Sequence, residues 1–383
     1  MFVDTSNYIK SKTNFVEFFN EVQPFEFESG DKLNNIRVAY QTYGELNEAG
    51  DNAVLICHAL TGNAHAAGIL SDFEFDSHSN PDYLKKYSIM FRNKEGWWDN
   101  IIGPGKAINT DKYFVICSNI LGSCYGTSGP TSLYDNYNSF QNDFPKVTVR
   151  DMVKIQKKLI DYLKIKRLKT IIGGSLGGMQ VLEWPLLYPE VVDSIIPIAT
   201  SAKHSAWAMA LNQIAKEAIL NDPNWNGGFY NNKTINGLSL ARKVAMISYR
   251  SFDSFEEKFS RDKVKVADGI HLNKFQINNY LDYQGEKFIN RFDANTYIRL
   301  ADAMDNHDIT RGRDDVEVVL NSIKCNTLSI GISSDVLYPV EEQLSIAGNI
   351  LNCEYREIKS NKGHDAFLIE FDQLGKFINE FLY

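Results

Sequence analysis

A serine between glycines can serve as a nucleophile when the chain presents it on a tight turn and supplies a base. Gly173-Gly174-Ser175-Leu176-Gly177 fits the pattern G-x-S-x-G. A short β-branched run, Thr170 to Ile172, precedes it, and a stretch that reads as helix, 177–188, follows. On such a turn the serine backbone is strained, and small neighbours let strand and helix pass closely. The hydroxyl then stands clear of the sheet, and the helix N-terminus behind it favours developing negative charge. Taken alone, the pentapeptide also reads as a glycine-rich turn carrying an ordinary serine.

The rest of the chain must supply an acid and a histidine. Strand-like Thr327 to Ile332 leads into Ser333-Ser334-Asp335, and strand-like Cys353 to Ile358 leads into Asn361-Lys362-Gly363-His364. Asp335 and His364 thus follow two strands at the end where ligands meet such sheets. The order Ser, Asp, His suits a triad in which Ser175 attacks, His364 moves the proton and Asp335 fixes its tautomer. Separately, Asp335 reads as a turn residue and His364 as a cap of the last helix. Their joint placement favours the triad.

Acyl transfer also needs donors for an oxyanion. The apolar run Ala53 to Cys57 opens into His58-Ala59-Leu60-Thr61-Gly62-Asn63-Ala64-His65. A backbone N–H of Leu60 or Thr61 there, with that of Leu176 after the nucleophile, would form the hole. His58 and His65 precede the nucleophile, so they are read as shaping the loop or lining the pocket. The seven histidines lie apart without ligand spacing, so no metal site is expected.

These residues need a scaffold. Phe25 to Glu28 and Ile36 to Tyr43 read as an antiparallel edge, and Ala53 to Cys57, Tyr113 to Cys117 and Ser194 to Ala199 as strands. Residues 148–163 carry a helical apolar stripe with Thr148 as a candidate N-cap. Alternating strands and helices predict a mostly parallel sheet. The alternation stops over 203–315, where stripes at Trp207 to Leu220, Leu238 to Tyr249, Phe275 to Phe288 and Ala294 to Met304 predict a helical insertion. The expected organisation is a core over 1–202 and 316–383 with an inserted domain between. A last helix is expected over about Phe367 to Leu382. Residues 70–100 read as a surface excursion returning through Trp97-Trp98. With 383 residues, 44% hydrophobic content and a net charge of −8, the chain has no basic footprint for nucleic acid. No run approaches a membrane span, and Met1 to Tyr8 lacks a signal-peptide pattern, so a soluble cytoplasmic protein is expected. The five cysteines are scattered, and Cys57 and Cys117 read as buried free thiols.

With these stretches in view, the chain resembles the homoserine O-acetyltransferases of the α/β-hydrolase fold, enzymes of methionine biosynthesis. The resemblance rests on His58 to His65, Gly96-Trp97-Trp98-Asp99-Asn100, Gly103-Pro104-Gly105-Lys106-Ala107, Tyr113 to Asn119, Gly129-Pro130-Thr131-Ser132, Asp143-Phe144-Pro145 with Thr148 to Met152, Gly174 to Gln180, and Gly363 to Leu368. One departure is a segment between Gly68 and Gly96 longer than usual. The resemblance implies ping-pong transfer of acetyl from acetyl-CoA, through an acyl-serine, to L-homoserine, with no bound cofactor. It implies Arg242 and Tyr249 on a lid helix and Asp365 after the histidine as substrate-binding residues, with Thr61 a further pocket candidate. Arg242 otherwise reads as a solvated helix charge and Asp365 as an N-cap. The inserted helices would form a lid and mediate a homodimer. Homoserine O-succinyltransferase, serine O-acyltransferase and plain serine esterase remain alternatives on the same scaffold.

Overall fold

The computed structural model describes residues 9–70, 94–135, 138–230, 233–266 and 269–383. Its organising element is an eight-stranded sheet. In chain order the strands are β1 (Asn14–Phe18), β2 (Ile36–Tyr43), β3 (Ala53–Cys57), β4 (Phe114–Ser118), β5 (Leu168–Gly174), β6 (Ser194–Ile198), β7 (Asn326–Ile332) and β8 (Cys353–Ile358). Across the sheet they run β8-β7-β6-β5-β3-β4-β2-β1. Pairing is parallel from β8 to β4, and β2 joins antiparallel to both β4 and β1. The edge is antiparallel as expected, but its outer strand is Asn14–Phe18; Phe25–Glu26 pairs instead with Lys32–Leu33 in a separate two-stranded sheet.

β3 shows why these sequences take the centre. All five residues are buried. Leu55 and Cys57 enter the core on one face of the sheet, while Val54 and Ile56 enter the core on the other. A strand covered on both faces must be apolar throughout, because alternate side chains point to opposite layers.

The first layer includes α1 (Val149–Tyr162) and α2 (Leu176–Leu187). Thr148 caps α1 as expected. Its hydroxyl accepts from the Asp151 N–H at 3.2 Å, and the Asp151 carboxylate accepts from the Thr148 N–H at 3.1 Å. Met152, Val153, Ile155, Leu159 and Ile160 bury its inner face. The other layer includes the C-terminal helix and Trp98, whose indole N–H donates to the Phe367 carbonyl at 3.1 Å. That bond anchors the turn carrying His364.

Between β6 and β7 lie α3 (Ala206–Leu220), α4 (Asn236–Tyr249), α5 (Phe252–Phe259), α6 (Gln276–Ile289) and α7 (Ala294–Asp305). Four of them match the expected stripes within two residues. The insertion is not purely helical, however. Lys263–Val266 and Gly269–Phe275 pair as an antiparallel hairpin, which a helix-only reading of 203–315 overlooks. Val, Ile and Leu alternate there with Lys and His, a period-two signal too short to stand out among helices. The chain returns through α8 (Val316–Ser322) to β7, then α9 (Val340–Asn349) and β8. The last helix begins later than expected. α10 spans Phe371–Leu382, and Gly363–Leu368 forms a separate 3-10 turn. The expected excursion over 70–100 falls mostly on residues 71–93, outside the described residues.

Candidate active site

β5 ends at Gly174 and α2 begins at Leu176, leaving Ser175 alone on the corner. Its backbone has φ +58° and ψ −126°. A non-glycine residue held there stores about 1–3 kcal/mol of strain, retained only when the surroundings impose it. The surroundings here are rigid. The Ser175 N–H donates to the Ile198 carbonyl at 3.0 Å, and the Ser175 carbonyl accepts from the Thr200 hydroxyl at 2.9 Å. A side chain at Gly177 would place its Cβ 2.1 Å from the Cys57 carbonyl oxygen, so only glycine lets α2 approach β3 this closely.

His364 and Asp335 meet at this end of the sheet. His364 Nδ1 lies 2.7 Å from Asp335 Oδ2, and both residues are buried. The other carboxylate oxygen accepts from the N–H groups of Leu337 and Tyr338 at 2.8 and 2.9 Å. Burial alone would push the His364 pKa down. The charge and hydrogen bond of Asp335, with the Asp365 charge, outweigh it and raise the value above the ordinary histidine range.

Ser175 and His364 line one cavity of about 390 Å³, together with Leu60, Thr61, Arg242 and Tyr249. Leu176 opens α2, so its N–H belongs to the first helical turn, where no intrahelical acceptor exists. Beneath the two backbone stretches lies a buried amide chain. Gln180 Nε2 donates to the Leu176 carbonyl at 3.1 Å and the His58 carbonyl at 3.4 Å. Its Oε1 accepts from Gln156 Nε2 at 2.7 Å, and Gln156 Oε1 accepts from the Trp184 indole at 2.9 Å. Gln180 thereby ties the start of α2 to the loop after β3.

The two loop histidines take the roles expected of them. His58 Nε2 accepts from the Ile120 N–H at 3.1 Å, which leaves Nδ1–H to donate to the Ala59 carbonyl at 2.8 Å. Burial pushes its pKa down to about 4, so the ring is a neutral brace. His65 lines the cavity wall, with Nε2 3.1 Å from the Lys94 carbonyl oxygen.

On the far side of the cavity, Arg242 projects from α4. Its guanidinium faces the rings of Phe288 at 5.1 Å and Tyr249 at 5.5 Å rather than a carboxylate. Burial, then the charge of Arg291, lowers its pKa, so a solvated helix charge is the wrong description. The Tyr249 ring lies 5.8 Å from that of His364. Asp365 also lines the cavity, but Arg250 holds its Oδ2 at 3.2 Å. It is not an N-cap, since Glu370 occupies that position of α10.

Against known sequences, residues 52–371 match the model of the alpha/beta hydrolase fold. A homoserine O-acetyltransferase of Deferribacter desulfuricans is 48% identical over 380 residues, covering 97% of this chain and 95% of that protein. The chain belongs to the homoserine O-acetyltransferase family. Two solved structures carry the likeness into three dimensions. The homoserine O-acetyltransferase from Bacillus anthracis superposes with a TM-score of 0.84 at 29% identity, covering 98% of each chain. Esterase E22 superposes at 0.83 with 27% identity, covering 97% of this chain and all of that one.

Sequence reasoning overlooked one prominent feature of this member of the homoserine O-acetyltransferase family. Arg291 lines the cavity beside Arg242. It donates to the Thr61 carbonyl at 3.1 Å, the Thr61 hydroxyl at 3.2 Å and the Tyr125 hydroxyl at 3.1 Å. Thr61 therefore faces the insertion through Arg291. Arg291 lies in the turn just past α6, where no sequence period marks it.

Proposed function

We propose that this chain is a homoserine O-acetyltransferase that moves acetyl from acetyl-CoA to the γ-hydroxyl of L-homoserine by way of an acetyl-serine at Ser175. The observation carrying this reading is the shared cavity. A strained serine and an aspartate-paired histidine open onto the same space as a half-buried arginine whose guanidinium lies against two aromatic rings. A serine esterase needs the first two features. A half-buried cation lining the same cavity as the nucleophile suits an acceptor that carries a carboxylate.

In this mechanism Ser175 Oγ attacks the thioester carbonyl while His364 Nε2 takes its proton. Asp335 keeps the proton on Nδ1 and stabilises the imidazolium. The N–H groups of Leu60 and Leu176 receive the oxyanion; one such donor is typically worth about 10²–10³ in rate. The C–S bond breaks and CoA thiol leaves with the proton from His364. L-homoserine then enters. Arg242, with Tyr249 and Thr61 nearby, receives its carboxylate, and Asp365 receives its ammonium with the oxygen that Arg250 does not hold. His364 deprotonates the γ-hydroxyl, which takes the acetyl group and frees Ser175. No resident cofactor is required.

The inserted helices act as a lid in this reading. An acyl-serine is also open to water, so a transferase gains from covering the site and holding its alcohol close. We further propose that the lid forms the interface of a homodimer. Ile214, Leu240 and Ile247 on α3 and α4 are each more than half exposed, an apolar face that a second copy would cover. Among the described residues no helix is long and apolar enough to cross a membrane. The reading places the enzyme in the cytoplasm, in methionine biosynthesis.

The test is a matrix of acetyl-CoA or succinyl-CoA with L-homoserine or L-serine, following thiol release and identifying the ester. Acetyl-CoA with L-homoserine should give O-acetylhomoserine in preference to every other pair. Thiol release that never depends on an amino acid would instead identify an esterase-like hydrolase.

A further inference from the structure

Ser175 borders two spaces. One is the cavity described above. The other is a narrow void of about 20 Å³ on the side of the inserted helices, where Ala208, Leu211, Ala245, Met304 and Leu337 contribute to its wall. That volume admits one water-sized group, and a trapped water would need about 2–4 polar partners. Three polar side chains in the wall have bonds of their own, and the rings of Tyr249 and Tyr297 complete the lining. Asn212 donates to Asp305 Oδ1 at 2.7 Å, His204 Nδ1 lies 3.3 Å from the Tyr338 hydroxyl, and the Ser248 hydroxyl donates to the Ala245 carbonyl at 2.9 Å. With those three groups engaged and the rest of the wall mostly aliphatic and aromatic, an apolar group of methyl size suits the space.

The stereochemistry at Ser175 leads to the same place. In the first step the Ser175 Oγ–C bond forms and the thioester C–S bond breaks, with the Oγ proton passing through His364 to sulfur. The tetrahedral carbon therefore carries Oγ, the oxyanion, the sulfur and the acyl substituent. The oxyanion is directed at Leu60 and Leu176. The departing thiol and the incoming alcohol must both stand beside His364, in the larger cavity. The remaining substituent is left the void, the second space that Ser175 borders.

We propose that this void is the acyl subsite: it receives the methyl of the acetyl group on Ser175 and limits the acyl chain to two carbons. The proposal rests on the acyl-serine reading above. A propionyl or butyryl group adds carbon where the wall is already in contact, and overfilling a packed space is costly. A succinyl group is longer and anionic. Burial pushes the His204 pKa down to about 4, so the ring in this wall is neutral at pH 7 and offers no charge to a carboxylate.

The test measures first-turnover thiol release and Ser175 acylation with acetyl-, propionyl-, butyryl- and succinyl-CoA. Each added methylene should cost the unmodified protein roughly 10- to 200-fold. Leu211→Ala and Met304→Ala widen the void and should each raise the butyryl-to-acetyl ratio at least about tenfold on that scale. Ala208→Val fills it and should slow acetyl acylation. Thermal melts identify the folded variants, and Leu211 is only partly buried, so its variant keeps the test alive if the others fail to fold. A ratio unchanged in folded, acylating variants would overturn the subsite alone. No acyl-serine from any thioester would overturn the reading of Ser175 and the subsite with it.

Discussion

Gln180 reaches from α2 to the carbonyl of His58 at 3.4 Å, bridging the two chain segments proposed to carry the oxyanion donors. It is fully buried, and a buried amide is tolerated only when its partners are in place. Gln180→Leu keeps most of the volume but leaves Gln156 Nε2 only the Cys57 sulfur, at 3.9 Å, in place of its oxygen acceptor. The expected loss is about 1–3 kcal/mol of stability, read by denaturant unfolding. If the bridge also sets the oxyanion geometry, acylation and deacylation should both slow by tenfold or more while KM for homoserine stays put. Lost stability with unchanged kcat would make Gln180 a packing residue.

The Asp335–His364 pair sets the pH profile. In the proposed mechanism only neutral His364 can accept the serine proton, and its pKa is raised above the ordinary value of 6.5. Acylation should therefore rise with pH through an apparent pKa above 6.5 and fall away as the ring protonates. For stability the sign is opposite. A raised folded-state value favours the fold below the unfolded pKa, and that contribution disappears as pH climbs through the folded one. Asp335→Asn should shift the kinetic pKa downward and cut kcat by about 10⁴. A pH–rate profile of both proteins decides it.

Arg242 and Arg291 share a cavity but differ in their bonds. Arg291 is fastened to Thr61 and Tyr125, while Arg242 faces two rings. Arg242→Ala should raise KM for homoserine by roughly 10- to 150-fold, the worth of about 1.5–3 kcal/mol for a charged hydrogen bond. The rate of acyl-enzyme formation from acetyl-CoA should hardly change. Equal damage to both half-reactions would remove Arg242 from the acceptor site.

Glu183 ties the core to the exit of the insertion. It is buried in α2, 3.0 Å from Arg150 of α1 and 2.8 Å from Arg313 near the end of the insertion. Removing it takes the carboxylate from Arg313 and leaves Arg150 with Glu28 at 3.4 Å. Glu183→Ala should cost about 3–5 kcal/mol in unfolding free energy. A loss under 1 kcal/mol would mean that the arginines find other partners.

Much of this was legible in sequence because the relevant signals are local. A wholly apolar pentapeptide at Ala53, a cap at Thr148 and glycines around Ser175 each state a backbone requirement in a few residues. Asp335 and His364 could be paired because each follows a strand directly. Arg291 could not, since its partners Thr61 and Tyr125 lie 230 and 166 residues away and no period connects them. The Arg250–Asp365 pair escaped for the same reason. Asp365 looked free because its nearest cation sits on another element. The void beside Ser175 has no local signal, being a gap where several helices fail to fill the space.

The most direct measurement is to mix the protein with acetyl-CoA alone, quench, and map acetylation by peptide mass spectrometry. One acetyl group should appear on Ser175, disappear on addition of L-homoserine, and reappear in O-acetylhomoserine; Ser175→Ala should fold and carry none. No acetyl on Ser175, or an acetyl surrendered to water as readily as to homoserine, would contradict the account.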